Sequence, residues 1–216
     1  DAPIKVALTR NNHGYDLHPE VEAALLAARD ALLDAGYIVE EVEPPNVFEA
    51  GRTGYRALMG EVHTLMKSDV DAVGSEVIRT MFETYFQEFP PFLGEDLLKM
   101  YAKRSHYARQ WAMFMADYPL VLTPFLPHPF FAPDRDREGV EGAHDVLGCA
   151  VYSYAMNYMG LPAACVPSRL AQLPKGPQPI NVQIVAQRWR EDMAVDAAIA
   201  IEDRIGQMAP LLWERM

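Results

Sequence analysis

The sequence predicts an α/β protein with a mixed, mainly parallel sheet, helices on both faces of that sheet, and a helical cap segment. Two apolar runs of strand length, residues 4–8 and 37–42, flank one amphipathic helix near the start of the chain, which is the pattern of a βαβ unit. Three further apolar runs come later, at residues 120–123, 163–166 and 182–185. This alternation of strand and helix patterns predicts one layered α/β domain over residues 1–216.

The first helix has a start signal and a stop signal. Pro19 favours the first helical turn, because the N–H that proline lacks would have no partner there. Apolar residues then recur on one stripe, at Val21, Leu25, Ala28 and Leu32. Gly36 follows at the position where a left-handed residue closes a helix. We expect the strand at residues 37–42 to pair in parallel with residues 4–8 through a right-handed crossover.

Residues 48–116 form the predicted helical cap segment. Their pattern is helical, with interruptions at Gly74 and at Pro90 and Pro91, because glycine and proline punctuate helices. Met, Phe, Tyr and Leu are spread around several helical faces of this segment. More than one face must therefore be covered, as in helices that cap a sheet.

The late strands are short and bounded by prolines. The run 163–166 lies between Pro162 and Pro167, and the run 182–185 opens after Pro179. Between them, residues 168–178 carry further prolines and a glycine, a composition that predicts a surface loop. We expect residues 120–123 and both late strands to extend the sheet of the first unit, with helices at 146–159 and 192–205 on its faces.

Composition and charge exclude several classes of protein. The net charge of −11 disfavours a nucleic acid or an anionic membrane as partner, because both would be repelled. No apolar run approaches the ~20 residues that a membrane-spanning helix requires. Two cysteines in 216 residues predict a reducing, cytoplasmic location rather than a disulfide framework. The histidines show no metal-ligand spacing, so we expect no metal and no cofactor.

Two segments near the end of the chain carry a family resemblance. Asn157, Gly160 and Pro162 form an Asn-x-x-Gly-x-Pro segment, and residues 179–186 read Pro-Ile-Asn-Val-Gln-Ile-Val-Ala. Together with the helix that follows, they resemble the carboxy-terminal end of the amidase signature family. Thr123 and Pro124 are similar to the end of that family's buried strand. The resemblance implies a partial amidase signature fold, in which this chain is the carboxy-terminal half of an amidase.

The resemblance also implies which residues meet a substrate. We expect Thr123, Phe125, Phe130, Asn157 and Gln183 to bind a small-molecule amide in the full-length protein. The family has glycine where this chain has Asn181 and Ala186. Asn tolerates positive φ and so suits the first position, whereas Ala186 departs further from the pattern. A competing interpretation of Asn157 and Gln183 is that their amides satisfy neighbouring backbone groups.

Catalytic residues are not expected in this chain. The family uses a nucleophilic Ser activated through a second Ser and a Lys, and the nucleophile lies in a Gly/Ser-rich segment. The serines here are scattered and none lies between glycines. The start at Asp1, close to an apolar strand, suggests a cut. We therefore expect a fragment that is inactive alone, lacks an amino-terminal catalytic half, and forms homo-oligomers through the strand edges left exposed.

Two other hypotheses remain open from the residues alone. The chain is alternatively a non-catalytic α/β module that binds a small molecule or a partner protein. His144, Asp145 and Cys149 also suggest a Cys-His nucleophile, since an imidazole promotes thiolate formation. Apolar neighbours of Cys149 favour core packing over reactivity.

Overall fold

The computed structural model describes residues 3–174 and 176–213. The chain forms two compact units. The first unit contains the described residues up to Pro45, Gln110–Pro129, and the described residues from Gly160 onward. The second contains Asn46–Arg109 and Phe130–Met159. Asp1, where the sequence suggests a cut, lies outside the described residues, and the assignment of residues 1–216 to a single domain stays a prediction.

A five-stranded mixed sheet organises the first unit, so the predicted α/β class is confirmed. Its strands are β1 (Lys5–Leu8), β2 (Ile38–Glu41), β3 (Leu120–Pro124), β4 (Ala163–Leu173) and β5 (Gly176–Ala186). Their order in the sheet is β2-β1-β3-β5-β4. Strand β1 pairs in parallel with β2 and β3, whereas β5 is antiparallel to β3 and to β4. The expected parallel pairing of the first two strands is therefore confirmed.

Helix α1 (Pro19–Asp34) connects β1 to β2 and ends as the sequence predicts. Gly36 has a φ of 92°. Its N–H donates to the carbonyl of Leu33, and the Tyr37 N–H donates to that of Leu32, each at 3.0 Å. These two bonds form a Schellman motif, which satisfies carbonyls that the helix end leaves without partners. The chain is thereby turned directly into β2.

Helices α1 and α8 (Glu191–Ile205) share one apolar core with the sheet. The core includes Leu25 and Leu32 of α1, Ala197 and Ile201 of α8, and alternate residues of the strands. The strand residues that take part are Val6, Leu8, Leu120, Leu122, Val182 and Ile184. Because successive strand residues point to opposite faces, the residues between them face away from this core. A short helix, α9 (Met208–Trp213), follows α8.

The predicted loop at residues 168–178 is wrong, because β4 and β5 continue through it as a long hairpin. Lys175, near the turn, lies outside the described residues. The prolines in and beside this segment predict a loop, but they lie at positions where a strand tolerates proline. Pro167 is on β4, at the edge of the described sheet, and Pro177 and Pro179 precede the part of β5 that pairs with β3. A missing N–H removes no ladder hydrogen bond at a free edge.

A bulge next to Pro167 anchors the hairpin to α1. The register shifts between Pro167 and Arg169, so Ser168 has no strand partner opposite it. Its buried hydroxyl donates to the Ala24 carbonyl at 3.0 Å. The bulge thus turns a hydroxyl toward the helix backbone, which is a common use of an extra strand residue.

The second unit is helical over the segment predicted as a cap. Its elements are α2 (Val47–Leu65), α3 (Lys67–Val73), α4 (Glu76–Glu88), the part of α5 (Gly94–Phe114) up to Arg109, α6 (Gly139–Ala143) and α7 (Val151–Met159). A 3-10 turn, Arg135–Arg137, precedes α6, and a π-helical turn, His144–Gly148, follows it. The helix breaks at Gly74 and at Pro90 and Pro91 are as predicted. The capping role of residues 48–116 stays a prediction.

Small residues let α2 and α7 approach closely. A Cβ atom added at Gly54 would lie 2.4 Å from the Tyr158 Cβ, and one at Gly51 would lie 2.8 Å from the Val151 carbonyl oxygen. Ala50 and Ala57 are buried on the same stripe of α2. The backbones of the two helices can therefore pack without intervening side chains.

We predict that Gly54→Ala destabilises the second unit. The added methyl group would overlap the Tyr158 side chain at its rigid base, so a backbone must move. Overpacking of this kind costs about 1–3 kcal/mol of unfolding free energy. Urea denaturation followed by near-ultraviolet circular dichroism measures the change. Ser105→Ala, at an exposed position of α5, is the matched control. Equal stability of the two variants would refute the close packing.

Candidate functional site

Two of the five predicted substrate-binding residues lie opposite each other in the sheet. Thr123 on β3 is in register with Gln183 on β5. Thr123 is fully buried and Gln183 is 2% exposed. Both alternate with the core residues of their strands, so they lie on the face away from α1 and α8. The structure thus brings together a hydroxyl and an amide that are 60 residues apart in the numbering.

The Gln183 amide is incompletely satisfied. Its Nε2 is buried and has no hydrogen-bond partner in the described part of the chain. The Thr123 hydroxyl, by contrast, donates to the Pro124 carbonyl at 3.0 Å. Leaving a buried amide donor unpaired costs about 1–3 kcal/mol. The interpretation in which this nitrogen satisfies a neighbouring backbone group is therefore not supported by the geometry.

Phe125 directly follows β3 and is half-buried. The segment after it is held in place, because the Pro127 carbonyl accepts a hydrogen bond of 2.9 Å from the N–H of His18, the N-cap residue of α1. Phe125 is therefore positioned by a strand end on one side and a fixed carbonyl on the other. Its place in a substrate pocket stays a prediction.

The other two predicted residues belong to the second unit. Asn157 lies on α7 and lines a cavity of about 350 Å³. Phe130 is 65% exposed and is not among the residues that line this cavity. The structure therefore gives Asn157 a concave environment and leaves Phe130 outside it.

Tyrosines from three helices form much of the cavity wall. They are Tyr55 of α2, Tyr101 of α5, and Tyr154 and Tyr158 of α7. The rings of Tyr55 and Tyr154 stack with centroids 4.1 Å apart and an interplanar angle of 28°. Burial raises the pKa of Tyr55 and raises that of Tyr158 to about 12. Both hydroxyls are therefore neutral hydrogen-bonding groups at physiological pH.

Two opposite charges also line the cavity. The Glu61 carboxylate accepts a hydrogen bond from the Tyr101 hydroxyl. Burial and this carboxylate raise the pKa of Tyr101 to about 12, whereas the positive charge of Arg104 opposes the shift. Both charges therefore act on one hydroxyl. Sequence reasoning missed these residues, although Tyr101 and Arg104 are three apart on one helix and so share a face.

The described lysines are unsuited to act as a general base. Each of them pairs with a carboxylate: Lys5 with Glu40, Lys67 with Asp71, Lys99 with Glu95, and Lys103 with Glu49. The hydrogen bond that Lys103 donates to the Glu49 carboxylate raises the pKa of the lysine, whereas a lysine base must be neutral. Among the described residues, no serine hydroxyl is hydrogen-bonded to a lysine. Nothing in residues 3–174 and 176–213 therefore reproduces a Ser-Lys pair.

Cys149 is also unsuited to nucleophilic chemistry. Burial raises the pKa of its thiol to about 12, and the Sγ donates to the Val146 carbonyl at 3.6 Å. The His144 Nδ1 lies 3.0 Å from the Glu88 Oε1. A thiolate nucleophile needs a lowered pKa, so core packing is the role that the structure supports.

The described part of the chain contains neither a cluster of metal-ligand side chains nor a helix that could span a membrane. No group of three or more His, Cys, Asp or Glu side chains is placed there to hold a metal ion. Within the same residues, no helix has the length and apolar character needed to cross a bilayer.

Known proteins match this chain in sequence over most of its length. The family model described as Amidase matches residues 1–195. Indoleacetamide hydrolase of Bradyrhizobium diazoefficiens is 35% identical over 215 residues, which are 99% of this chain and 40% of that protein. A glutamyl-tRNA(Gln) amidotransferase subunit of Deinococcus radiodurans is 30% identical over 221 residues, covering 92% of this chain and 45% of that protein. The chain thus spans less than half the length of these relatives.

Solved structures share the fold. 6-Aminohexanoate cyclic dimer hydrolase, complexed with substrate, matches 96% of this chain and 46% of its own, with a TM-score of 0.72 and 21% identity. Allophanate hydrolase of Kluyveromyces lactis matches 94% of this chain and 32% of its own, with a TM-score of 0.75 and 15% identity. The family match along most of the sequence and the shared sheet confirm the resemblance, and the chain belongs to the amidase family.

Proposed function

We propose that the full-length protein is an amidase that hydrolyses the C–N bond of a carboxamide, and that this chain supplies pocket and structural elements without being active alone. The observation that carries the proposal is the family match over residues 1–195, in a chain whose described residues hold no Ser-Lys pair. The relatives are longer, since the chain covers 40% and 45% of the two named above. Catalytic Ser, Ser and Lys residues in an amino-terminal half would complete the enzyme.

The sheet face that carries Thr123 and Gln183 is the part of the first unit that we assign to this function. A buried N–H donor without an internal partner is suited to a carbonyl oxygen, either of the substrate amide or of the catalytic half. Phe125 would supply apolar contact to the acyl group, because small-molecule pockets combine apolar walls with few polar anchors. In the second unit, Asn157 and Phe130 are the corresponding proposed substrate contacts.

The non-catalytic module is the less favoured alternative. The relatives that match nearly the whole chain are named as a hydrolase and as part of an amidotransferase. Asn181 and Ala186, the departures from the family's glycines, lie within the regular β5 strand, so they leave the sheet intact.

We also propose a cytoplasmic, homo-oligomeric protein. Cys149 and Cys165 are both free thiols, as a reducing compartment maintains them. At the sheet edge, β4 exposes Ala163 and Cys165, and a free edge pairs readily with a second copy. Light scattering of the 216-residue chain should give the mass of a dimer or larger assembly. A monomer at high concentration would rule out this pairing.

Ammonia release tests the proposal that the full-length protein hydrolyses a carboxamide and that the 216-residue chain alone does not. We expect the full-length protein to release ammonia from indoleacetamide or another primary carboxamide, and the 216-residue chain to release none above the buffer rate. Replacing the nucleophilic Ser in the full-length protein is the control, and it should abolish the release. Turnover of any amide by the 216-residue chain alone would contradict the proposal.

A further inference from the structure

The cavity in the second unit has features that packing of its helices does not require. Its wall includes the stacked pair Tyr55 and Tyr154, which offers an aromatic surface beside the cavity space. An edge-on contact of Phe89 with Tyr55, with centroids 4.3 Å apart, braces this pair from another side. Rigid aromatic surfaces of this kind favour a planar aromatic ligand by stacking.

Two opposite charges line the same cavity without neutralising each other. Glu61 on α2 and Arg104 on α5 form no ion pair at 4.0 Å or less in the described structure, and Arg104 has no other carboxylate partner there within that distance. Glu61 is bonded to Tyr101, and the Arg104 charge acts on the same hydroxyl. Both charges therefore lie beside the same hydroxyl in the cavity wall, where a ligand that carries the complementary pair can meet them.

The size of the cavity and the charge of the protein limit the chemical class of ligand that the cavity can bind. A volume of about 350 Å³ is at the small end of the range for small-molecule sites. With a net charge of −11 and Glu61 in the wall, a simple anion is disfavoured, and Arg104 disfavours a simple cation. A zwitterion satisfies both charges at once.

We propose that this cavity binds an aromatic α-amino acid in its zwitterionic form. The aromatic ring lies against Tyr55 and Tyr154, the carboxylate pairs with Arg104, and the ammonium group pairs with Glu61. The Asn157 amide at the wall offers a further donor and acceptor to the same ligand. Asn157 is also a proposed substrate contact, but the test below measures binding of the amino acid alone, so its outcome is separate from that of amide hydrolysis.

Isothermal titration of the 216-residue chain with L-tryptophan tests the site. We expect saturable binding of one molecule per chain. Arg104→Gln and Glu61→Gln should each weaken it at least about tenfold, since each removes one charge-assisted hydrogen bond. Arg104→Lys keeps the charge and should retain more affinity than Arg104→Gln. The matched control is Arg109→Gln, at an exposed position of the same helix outside the cavity, and it should bind as the unmodified chain does.

Two partial ligands distinguish the roles of the charges. Indole-3-propionate is tryptophan without the ammonium group, so its weaker binding should fall with Arg104→Gln and not with Glu61→Gln. Tryptamine lacks the carboxylate and should show the opposite dependence. The proposal is overturned if L-tryptophan does not bind, if Arg109→Gln weakens binding as much as Arg104→Gln, or if β-cyclohexylalanine, which has no aromatic ring, binds as tightly as L-tryptophan. Circular dichroism of each variant verifies that it is folded.

Discussion

The antiparallel pairing of β3 with β5 is the constraint on which the described site depends. It joins the parallel strands β2, β1 and β3 to the hairpin of β4 and β5 in one sheet. Its register places Leu122 opposite Ile184 in the core and Thr123 opposite Gln183 on the other face. A slip by one residue would exchange these faces, burying an amide in the apolar core. Core packing against α1 and α8 therefore fixes where the amide of Gln183 lies.

The early part of the fold could be predicted from sequence because its signals are local. Pro19 and Gly36 mark the two ends of α1 within a few residues, and the Schellman bonds show why the glycine is needed. The hairpin could not be predicted in the same way. Its prolines indicate a loop unless the neighbouring strands are known, and only the sheet order shows that Pro167 lies at an edge and that Pro177 and Pro179 lie beyond the β3 pairing.

The residues of the candidate site also differ in whether local sequence could predict them. Thr123 and Gln183 came from short sequence segments, and their pairing across the sheet supports placing them together. Tyr55, Tyr101 and Arg104 come from two helices far apart in the chain, so no local spacing relates Tyr55 to the other two. Their cavity depends on the glycines of α2, which matter only once α7 is packed against them.

The described lysines support the proposal that this chain alone does not hydrolyse an amide. Each described lysine pairs with a carboxylate, and the hydrogen bond to Glu49 raises the pKa of Lys103, which opposes the neutral form that a general base requires. Gln183, in contrast to these lysines, has an unused hydrogen-bond donor, because its buried Nε2 has no partner within the described residues. In the proposed full-length enzyme, this donor would be available to the substrate or to the proposed catalytic half.

The most direct test of the proposed role of the Gln183 donor is the effect of Gln183→Met on kcat/KM of the full-length protein. Gln172→Met, at an exposed position of β4, is the matched control. Because methionine keeps the length of the side chain and removes the donor, kcat/KM should fall at least about tenfold, the effect of one lost strong hydrogen bond. The unfolding free energy of the 216-residue chain should not decrease, since the donor lost had no partner there. A kcat/KM equal to that of the control would contradict the account.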